Sequence, residues 1–512
     1  MAAITTSKKS KRSTKKNGNQ TAKRTATTIA ASGRSKAPAT KSAKSPATTI
    51  VNYSTALRWL YEHVDYERMR IVPYNTRTFS LERMRRLLAG LDNPDQQLKC
   101  VQVAGTKGKG STCAMLSSML QECGYTVGLF TSPHLIDICE RITINGQLIR
   151  RVELSDLFKL IATKEKALGD NRPTFFEILT ATALRYFADQ AVDIVVLETG
   201  LGGRLDSTSV VTPVVTGMTQ ISLDHMNILG SDVKSIAREK AGVFKRGVDA
   251  VSVVQEPQVA RVLDDSAAHA ETVLEYTGRD IEFSYRFEAT RPLGPHTRVC
   301  ITTRTSRWDH LRVPLAGEHQ AQNCGLALAM LDKLKGHGFN ILEQKVIEGL
   351  AKTTLAGRME KVWKDPRVYI DGAHNAASIT ALIRALGAHV NYDSLVLIFG
   401  CGQDKDVSGM LRQISLGADK VIFTRAKANP RAYLPEDLMT QFAEISVKMA
   451  QSAPTLPEAL KLAGRAVSRE DVIVVTGSFY LVGEAKKYFL EKNNKRKPQS
   501  SRPVRTKLIP SG

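Results

Sequence analysis

The stretch from Lys99 to Thr112 constrains this chain more than any other. It opens as an apolar strand and turns through Gly105, Gly108 and Gly110 into the start of a helix. Strand, glycine-rich turn and helix together make the unit from which parallel sheets are wound. Glycines there let backbone N–H groups turn inward around an anion, and the helix N-terminus adds positive potential. Lys109 stands among them, and Ser111 and Thr112 follow with hydroxyls suited to a divalent cation. The strict phosphate-loop spacing is not met: Val103 occupies the place of the first glycine, and Gly110 directly follows the lysine. The Gly-Lys-Gly-Ser-Thr run in this setting still favours a nucleotide phosphate over a plain turn.

A chain of 512 residues is too long for one core, so two or more domains are expected. No apolar run reaches the length of a membrane span, and no apolar h-region follows the basic N-terminus. The seven cysteines are scattered without a Cys-x-x-Cys pair, which reads as free thiols in a reducing, cytoplasmic setting. The net charge of +22 is unevenly placed. Residues 1–48 hold twelve basic residues and no acid, and residues 491–512 hold seven against Glu491. Both ends are rich in Ser, Thr, Lys and Pro and are read as disordered, solubilising arms. Weak, salt-sensitive contact with nucleic acid or another polyanion is the sharper alternative, and an organelle-targeting segment is a third.

The ordered body is expected to begin near Val51. Helices are predicted over Tyr53–Tyr66 and from Leu81, with Ser80 as N-cap. A buried strand at 126–130 leads into Thr131-Ser132-Pro133-His134-Leu135. A loop leaving the C-terminal end of a parallel strand borders the ligand crevice, so Ser132 and His134 either touch ligand or are ordinary turn residues. Helices follow at 154–166 and 175–189. The apolar run 192–198 ends in Glu198, a usual position for a Mg²⁺ ligand, or else a solvated strand end. A further strand at 214–218 delivers Asp224 and His225 to the same edge. A lone histidine is more often structural, but Asp224 beside it raises the ligand reading. Lys240 lies mid-helix, where pairing with a neighbouring acid is the plainer role. Residues 281–313 read as β-structure, Gly317–Asn323 caps a long helix, and 355–360 reads as a linker. The strand–helix pattern then restarts. Asp371-Gly372-Ala373-His374-Asn375 sits at a strand end and is expected to face the crevice between domains.

Ten runs, among them Val103–Thr112, Thr131–Leu135, Leu197–Asp206, Leu223–Gly230, Ile236–Lys245, Gly317–Asn323 and Asp371–Asn375, occur in the order seen in one family. The chain resembles the folylpolyglutamate synthase/dihydrofolate synthase branch of the Mur-ligase-like ATP-dependent amide ligases, over roughly residues 53–490. The resemblance implies an α/β fold: a P-loop-type ATPase domain with a central sheet, then a smaller Rossmann-like doubly wound domain. It places an ATP-binding domain at 50–355 and a glutamate-ligase domain at 356–491, and the basic tails at 1–49 and 492–512, read from composition, lie outside it. It implies that ATP converts a folate-side carboxylate to an acyl phosphate, which the amino group of L-glutamate attacks. By resemblance Gly108, Lys109, Gly110, Ser111 and Thr112 hold ATP phosphates. Asn323, Arg358 and Asp371 contact ATP. Ser132, Glu198 and His225 hold Mg²⁺, with two ions expected. Lys240 matches a carbamylated lysine, and His374 falls in the run facing substrate. The implied partners are ATP, L-glutamate and a folate or dihydropteroate, acting on a monomer with no membrane. The sequence departs from the family pattern at Lys107, where many members carry Asn, at Thr199 and in Met226-Asn227-Ile228. These departures leave the acceptor open between dihydropteroate and tetrahydrofolate. Murein-precursor ligases and an incidental NTPase fold on a nucleic-acid-binding protein are the competing readings.

Overall fold

The computed structural model describes residues 49–66, 74–76, 78–291, 294–427, 429 and 431–496. The basic ends outside residues 49–496 therefore lie outside the described residues.

The first lobe is built on β1 (Cys100–Ala104), β2 (Val127–Phe130), β3 (Ile142–Ile144), β4 (Gln147–Leu148), β5 (Ile194–Glu198), β6 (Val215–Met218), β7 (Asp249–Val253) and β8 (Leu274–Thr277). They form one sheet in the order β4-β3-β2-β5-β1-β6-β7-β8. From β2 to β8 neighbours run parallel, while β3 and β4 are antiparallel. Successive β5 residues go to opposite faces: Ile194 and Val196 join one core, Val195 and Leu197 the other. Helices cover both faces, so these strands read as unbroken apolar runs rather than as alternation. The Lys109–Glu122 and Glu318–Gly336 helices pack on one face. The Tyr53–Tyr61, Leu81–Ala89, Arg151–Lys164 and Phe175–Asp189 helices pack on the other.

Boundaries shift where tertiary contacts override local pattern. The first helix stops at Tyr61, not Tyr66, because the His63 ring turns back onto Trp59 O (3.0 Å) and Phe175 N takes the Val64 carbonyl (3.0 Å). Ser80 caps the second helix through Arg83 N, as expected. The β-region resolves into β9 (Glu282–Thr290), β10 (Gly294–Thr302) and β11 (Arg307–Arg312), an antiparallel sheet in the order β11-β10-β9. It lies on the Glu318–Gly336 helix, where Phe283 comes so close to Gly325 that an added Cβ would lie 2.4 Å from the ring.

The second lobe has six strands, β12 (Glu360–Trp363), β13 (Arg367–Ile370), β14 (Leu395–Phe399), β15 (Lys420–Phe423), β16 (Met449–Ser452) and β17 (Val472–Thr476), ordered β12-β13-β17-β14-β15-β16. All but β12 run parallel. Leu395, Leu397 and Phe399 face the core under the Ala376–His389, Val407–Gly417 and Pro435–Ala443 helices. Val396 and Ile398 face the Leu456–Ala466 and Phe479–Arg496 helices. That last helix runs past the expected end near Leu490 to Arg496, and Lys492 lies over the Trp363 ring at 4.7 Å. This is the mixed α/β architecture expected from the sequence, a central-sheet lobe followed by a smaller doubly wound one.

Candidate active site

In a doubly wound sheet the crevice forms where the connections diverge, at the carboxyl ends of the strands. Here β1 is flanked by β5 and β6, and its C-terminal turn is the glycine loop. Thr106 and Lys107 donate their N–H groups to Gln220 O (2.9 and 3.3 Å), and Thr106 Oγ1 donates to Ser222 O (3.1 Å). Gly108 is the N-cap of the Lys109–Glu122 helix and has φ +93, a left-handed conformation that favours glycine. No side chain caps this helix, so its first N–H groups remain available to an anion. Asn323 packs directly behind: a Cβ on Gly108 would lie 2.1 Å from its Oδ1. Ser111 lines the cleft, whereas Thr112 is fully enclosed and its hydroxyl has no partner among the described residues.

Glu198 closes β5 beneath this loop. A Cβ on Gly110 would sit 3.5 Å from its Oε2, which accepts the Ser132 N–H at 3.0 Å. Burial raises its pKa, and the charges of Lys109, Arg358 and Arg141 oppose the rise. Across the crevice His225 adopts φ +49, and its N–H is held by Asp224 Oδ1 (2.9 Å). His225 is exposed to the open cleft, and desolvation between the cleft walls lowers its pKa, favouring a neutral imidazole able to coordinate a cation. Lys240 is buried. Its Nζ donates to Gly105 O at 2.7 Å, under the loop rather than into the cleft. Burial, aided by the Lys109 charge, brings its pKa down to about 7.

The second lobe supplies the opposite wall. The Asp371 carboxylate accepts the N–H groups of Met359 and Ala373, both at 2.9 Å. Burial raises its pKa, with Arg358 opposing. Arg358 lies 5.0 Å over the Phe479 ring, and a Cβ on Gly372 would lie 2.6 Å from its Nη1. His374 pairs its Nδ1 with Gly372 O (2.8 Å), which assigns the proton to Nδ1 and makes Nε2 an acceptor. Burial pushes its pKa down to about 4, so the ring is neutral near pH 7. The two lobes enclose one cleft of about 1060 Å³. Of the expected site residues, the structure brings Gly108, Lys109, Gly110, Ser111, Ser132, Glu198, His225, Asn323, Arg358, Asp371 and His374 to its walls. Thr112 and Lys240 are set behind the wall.

The comparisons with known proteins bear on the family and the fold. Residues 103–331 match the Mur ligase middle domain, and residues 357–479 match the Mur ligase glutamate ligase domain. The dihydrofolate synthase/folylpolyglutamate synthase of Bacillus subtilis is 36% identical over 413 residues, spanning 80% of this chain and 94% of that protein. The chain belongs to the folylpolyglutamate synthase/dihydrofolate synthase family. The folylpolyglutamate synthase of Lacticaseibacillus casei is 33% identical to this synthase over 82% of the chain and 96% of its own length. Among solved structures, Mycobacterium tuberculosis folylpolyglutamate synthase complexed with ADP and AMPPCP has a TM-score of 0.74 at 31% identity, covering 80% of this synthase and 95% of that chain. Escherichia coli FolC in complex with DHPP and ADP has a TM-score of 0.74 at 29% identity, covering 88% and 100%.

Sequence reasoning gave no role to several groups that line the synthase's cleft. Lys107, noted only as a departure from pattern, reaches across the lobes to Asn375 Oδ1 at 3.2 Å. Arg141 is almost wholly buried and donates to His134 Nδ1 at 2.9 Å. His319 lies against Gly317 on the cleft wall, exposed to solvent, and desolvation in the cleft with the Arg358 and Lys107 charges lowers its pKa. The available signal was a charged or imidazole residue inside a glycine-containing run.

Proposed function

We propose that this synthase joins L-glutamate to the carboxylate of a folate-type acceptor, using ATP. The observation that carries this reading is the placing, across one cleft, of an uncapped helix N-terminus at Gly108 opposite Arg358 and Asp371 of the second lobe. The N–H groups of Lys109, Gly110 and Ser111 receive the ATP phosphates, and the Lys109 ammonium adds a charge beside them. The acceptor carboxylate takes the terminal phosphoryl group, ADP leaves, and an acyl phosphate remains. The glutamate amine attacks the carbonyl carbon, an amide bond forms as the C–O bond to phosphate breaks, and the departing phosphate carries off the proton that the nitrogen loses. His374 Nε2 accepts a hydrogen bond from that amine. With a pKa near 4 it orients the amine rather than storing its proton. Closure of the second lobe over the phosphates excludes the water that would hydrolyse the acyl phosphate.

The donor chemistry at the loop fits Mg²⁺. A hydroxyl at Ser132, a carboxylate at Glu198 and an imidazole at His225 line the cleft, and Glu198 is a buried acid whose charged form a bound cation would favour. Among the described residues no three His, Cys, Asp or Glu groups come together as a metal cluster. That is compatible with Mg²⁺, which takes one or two carboxylates and completes its shell with phosphate and water. Bound there, one or two Mg²⁺ ions supply charge neutralisation at the phosphates.

For Lys240 two readings follow from the same geometry. A pKa near 7 leaves a neutral amine fraction able to add CO₂, which supports a carbamate with oxygen donors for Mg²⁺. The bond to Gly105 O supports an unmodified lysine that pins the loop. Intact-mass and ¹³CO₂ labelling measurements distinguish them. Both lobes of the cleft come from one chain, which supports a monomer, and the seven free cysteines support a reducing, cytoplasmic setting. Among the described residues no helix is long and apolar enough to cross a membrane.

The acceptor is proposed to be both dihydropteroate and tetrahydrofolate, in line with the double name of the B. subtilis relative. ADP release measured with glutamate and each acceptor in turn tests this. Release with one acceptor alone narrows the specificity, and release with neither overturns the proposal.

A further inference from the structure

Three hydrogen bonds cross between the lobes at the two ends of one helix. At the N-terminal end of the Ala376–His389 helix, Asn375 is the N-cap. Its Oδ1 accepts from Ser378 N (2.9 Å) and also from Lys107 Nζ (3.2 Å) of the phosphate loop. At the C-terminal end, His389 Nε2 accepts the Gly317 N–H at 3.3 Å, while Nδ1 lies 3.4 Å from Pro295 O in β10. The His389 ring also meets Phe287 of β9 edge-on, with centroids 5.3 Å apart. Between these ends the helix spans about 21 Å, at 1.5 Å per residue. Its inner face, through Ala377, Ala381, Leu382 and Ala385, lines the cleft.

Both fastenings land on segments that shape the phosphate site. Lys107 immediately precedes Gly108. Gly317 is the N-cap of the helix that carries Asn323, and Asn323 packs against Gly108. The approach at Gly317 is close: its φ is +114, and an added Cβ would lie 3.5 Å from Ala385 Cβ and 2.7 Å from the His319 ring. The fastening at Asn375 has an electrostatic oddity. A lysine ammonium beside a helix N-terminus is opposed by the helix dipole, so this contact is not explained as generic helix stabilisation.

We infer that the Ala376–His389 helix is a strut clamped at both ends to the phosphate-binding lobe, and that Lys107 and His389 are positioning residues that couple nucleotide occupancy to closure of the second lobe. The inference rests on the ATP-dependent reading of the cleft but concerns how the lobes close, which is measurable without turnover. Lys107 and Asn323 both touch the loop that receives phosphate, so a nucleotide that fixes the loop also fixes both anchor points of the strut. The loop is thereby held in one position relative to the second-lobe groups Arg358, Asp371 and His374.

The test uses the full chain with Lys107→Met, Asn375→Ser, His389→Phe and His389→Gln. Serine keeps a good N-cap but does not reach Lys107. Phenylalanine keeps the ring against Phe287 and removes the acceptor, whereas glutamine restores an acceptor. Small-angle scattering with AMPPCP reads lobe closure, and titration with AMPPCP reads nucleotide affinity. Lys107→Met, Asn375→Ser and His389→Phe are expected to reduce nucleotide-induced compaction. Turnover is expected to fall by roughly tenfold for Lys107→Met and Asn375→Ser, which lose a bond to a charged group, and by about threefold for His389→Phe, which loses neutral ones. His389→Gln is expected to recover most of both, and His389→Phe to retain AMPPCP affinity within a few-fold. Variants that are folded by circular dichroism yet compact and turn over like the parent would overturn the strut. Normal compaction in a parent chain that lacks ligase activity would leave the strut standing and count against the assigned reaction.

Discussion

Gly108 is fixed by two independent constraints. Its φ of +93 disfavours any side chain, and a Cβ would overlap Asn323 Oδ1. Gly108→Ala is expected to destabilise the fold by about 1–3 kcal/mol and to abolish nucleotide binding, read by thermal unfolding and ADP titration. Gly110→Ala is the control. Its Cβ would reach only ordinary contact with Glu198, so the fold should tolerate it. Lys240 gives a pH-dependent expectation. Its folded pKa of about 7 lies below the ordinary lysine value of 10.5, so between these values unfolding takes up a proton. Stability attributable to Lys240 therefore rises as pH increases from 7 towards 10.5 and is lost as pH falls through 7. Comparing Lys240→Met with the parent by urea unfolding across this window checks it. An unchanged stability difference from pH 7 to 9 would show that the amine is charged in the fold. At the scale of single residues, Lys109, Ser132 and Glu198 were legible because strand ends in parallel sheets converge on the crevice. The inward position of Lys240, behind the loop, was not legible, since helical spacing alone does not say which neighbour a buried ammonium meets.

Elements are tied together by buried pairs that local pattern does not reveal. Arg83 of the Leu81–Ala89 helix donates from Nε and Nη2 to the two carboxylate oxygens of Glu177, both at 2.8 Å. Glu177 Oε2 also accepts Thr174 N, closing the capping box of the Phe175–Asp189 helix. Both side chains are almost fully enclosed. Removing the guanidinium leaves a buried, uncompensated carboxylate, so Arg83→Met is expected to cost about 3–5 kcal/mol in chemical denaturation. A loss below 1 kcal/mol would mean that water reaches Glu177. Strands β5 and β14 and the Phe175–Asp189 helix were readable from sequence because both faces of the strands, and one strong stripe of the helix, are apolar. The sheet of β9, β10 and β11 was readable only as β-structure. In β9 the alternation of Phe283, Tyr285, Phe287 and Ala289 with polar residues marks a strand, but most of its residues are exposed, so the pattern does not say what the strand packs against. Helix ends were missed where a distant ring decided them, as at His63 and at Lys492.

In the whole molecule, charge and catalysis are separated along the chain. The cleft and every residue assigned to it lie within residues 49–496, whereas most of the net charge of +22 belongs to residues 1–48 and 491–512. The joining of the lobes was not legible: Lys107–Asn375 spans 268 positions and Gly317–His389 spans 72, and neither pair belongs to one periodic pattern. The C-terminal limit also moves, because Lys492 over Trp363 anchors the final helix turns to the second lobe. A chain trimmed to residues 49–496 is therefore expected to keep its fold and its ADP release with glutamate and acceptor. Trimming at residue 490 instead removes the Lys492 contact and should lower thermal stability. Polyanion binding should divide the other way. If the twelve basic residues of 1–48 engage phosphates, the full chain binds duplex DNA at low salt, and log K falls with log salt at a slope of about 0.9 per phosphate neutralised. The trimmed chain, whose remaining bases and acids nearly balance, should not bind measurably. Equal DNA binding by both chains would place the contact on the folded body, and loss of ligation in the trimmed chain would give the basic ends a part in catalysis.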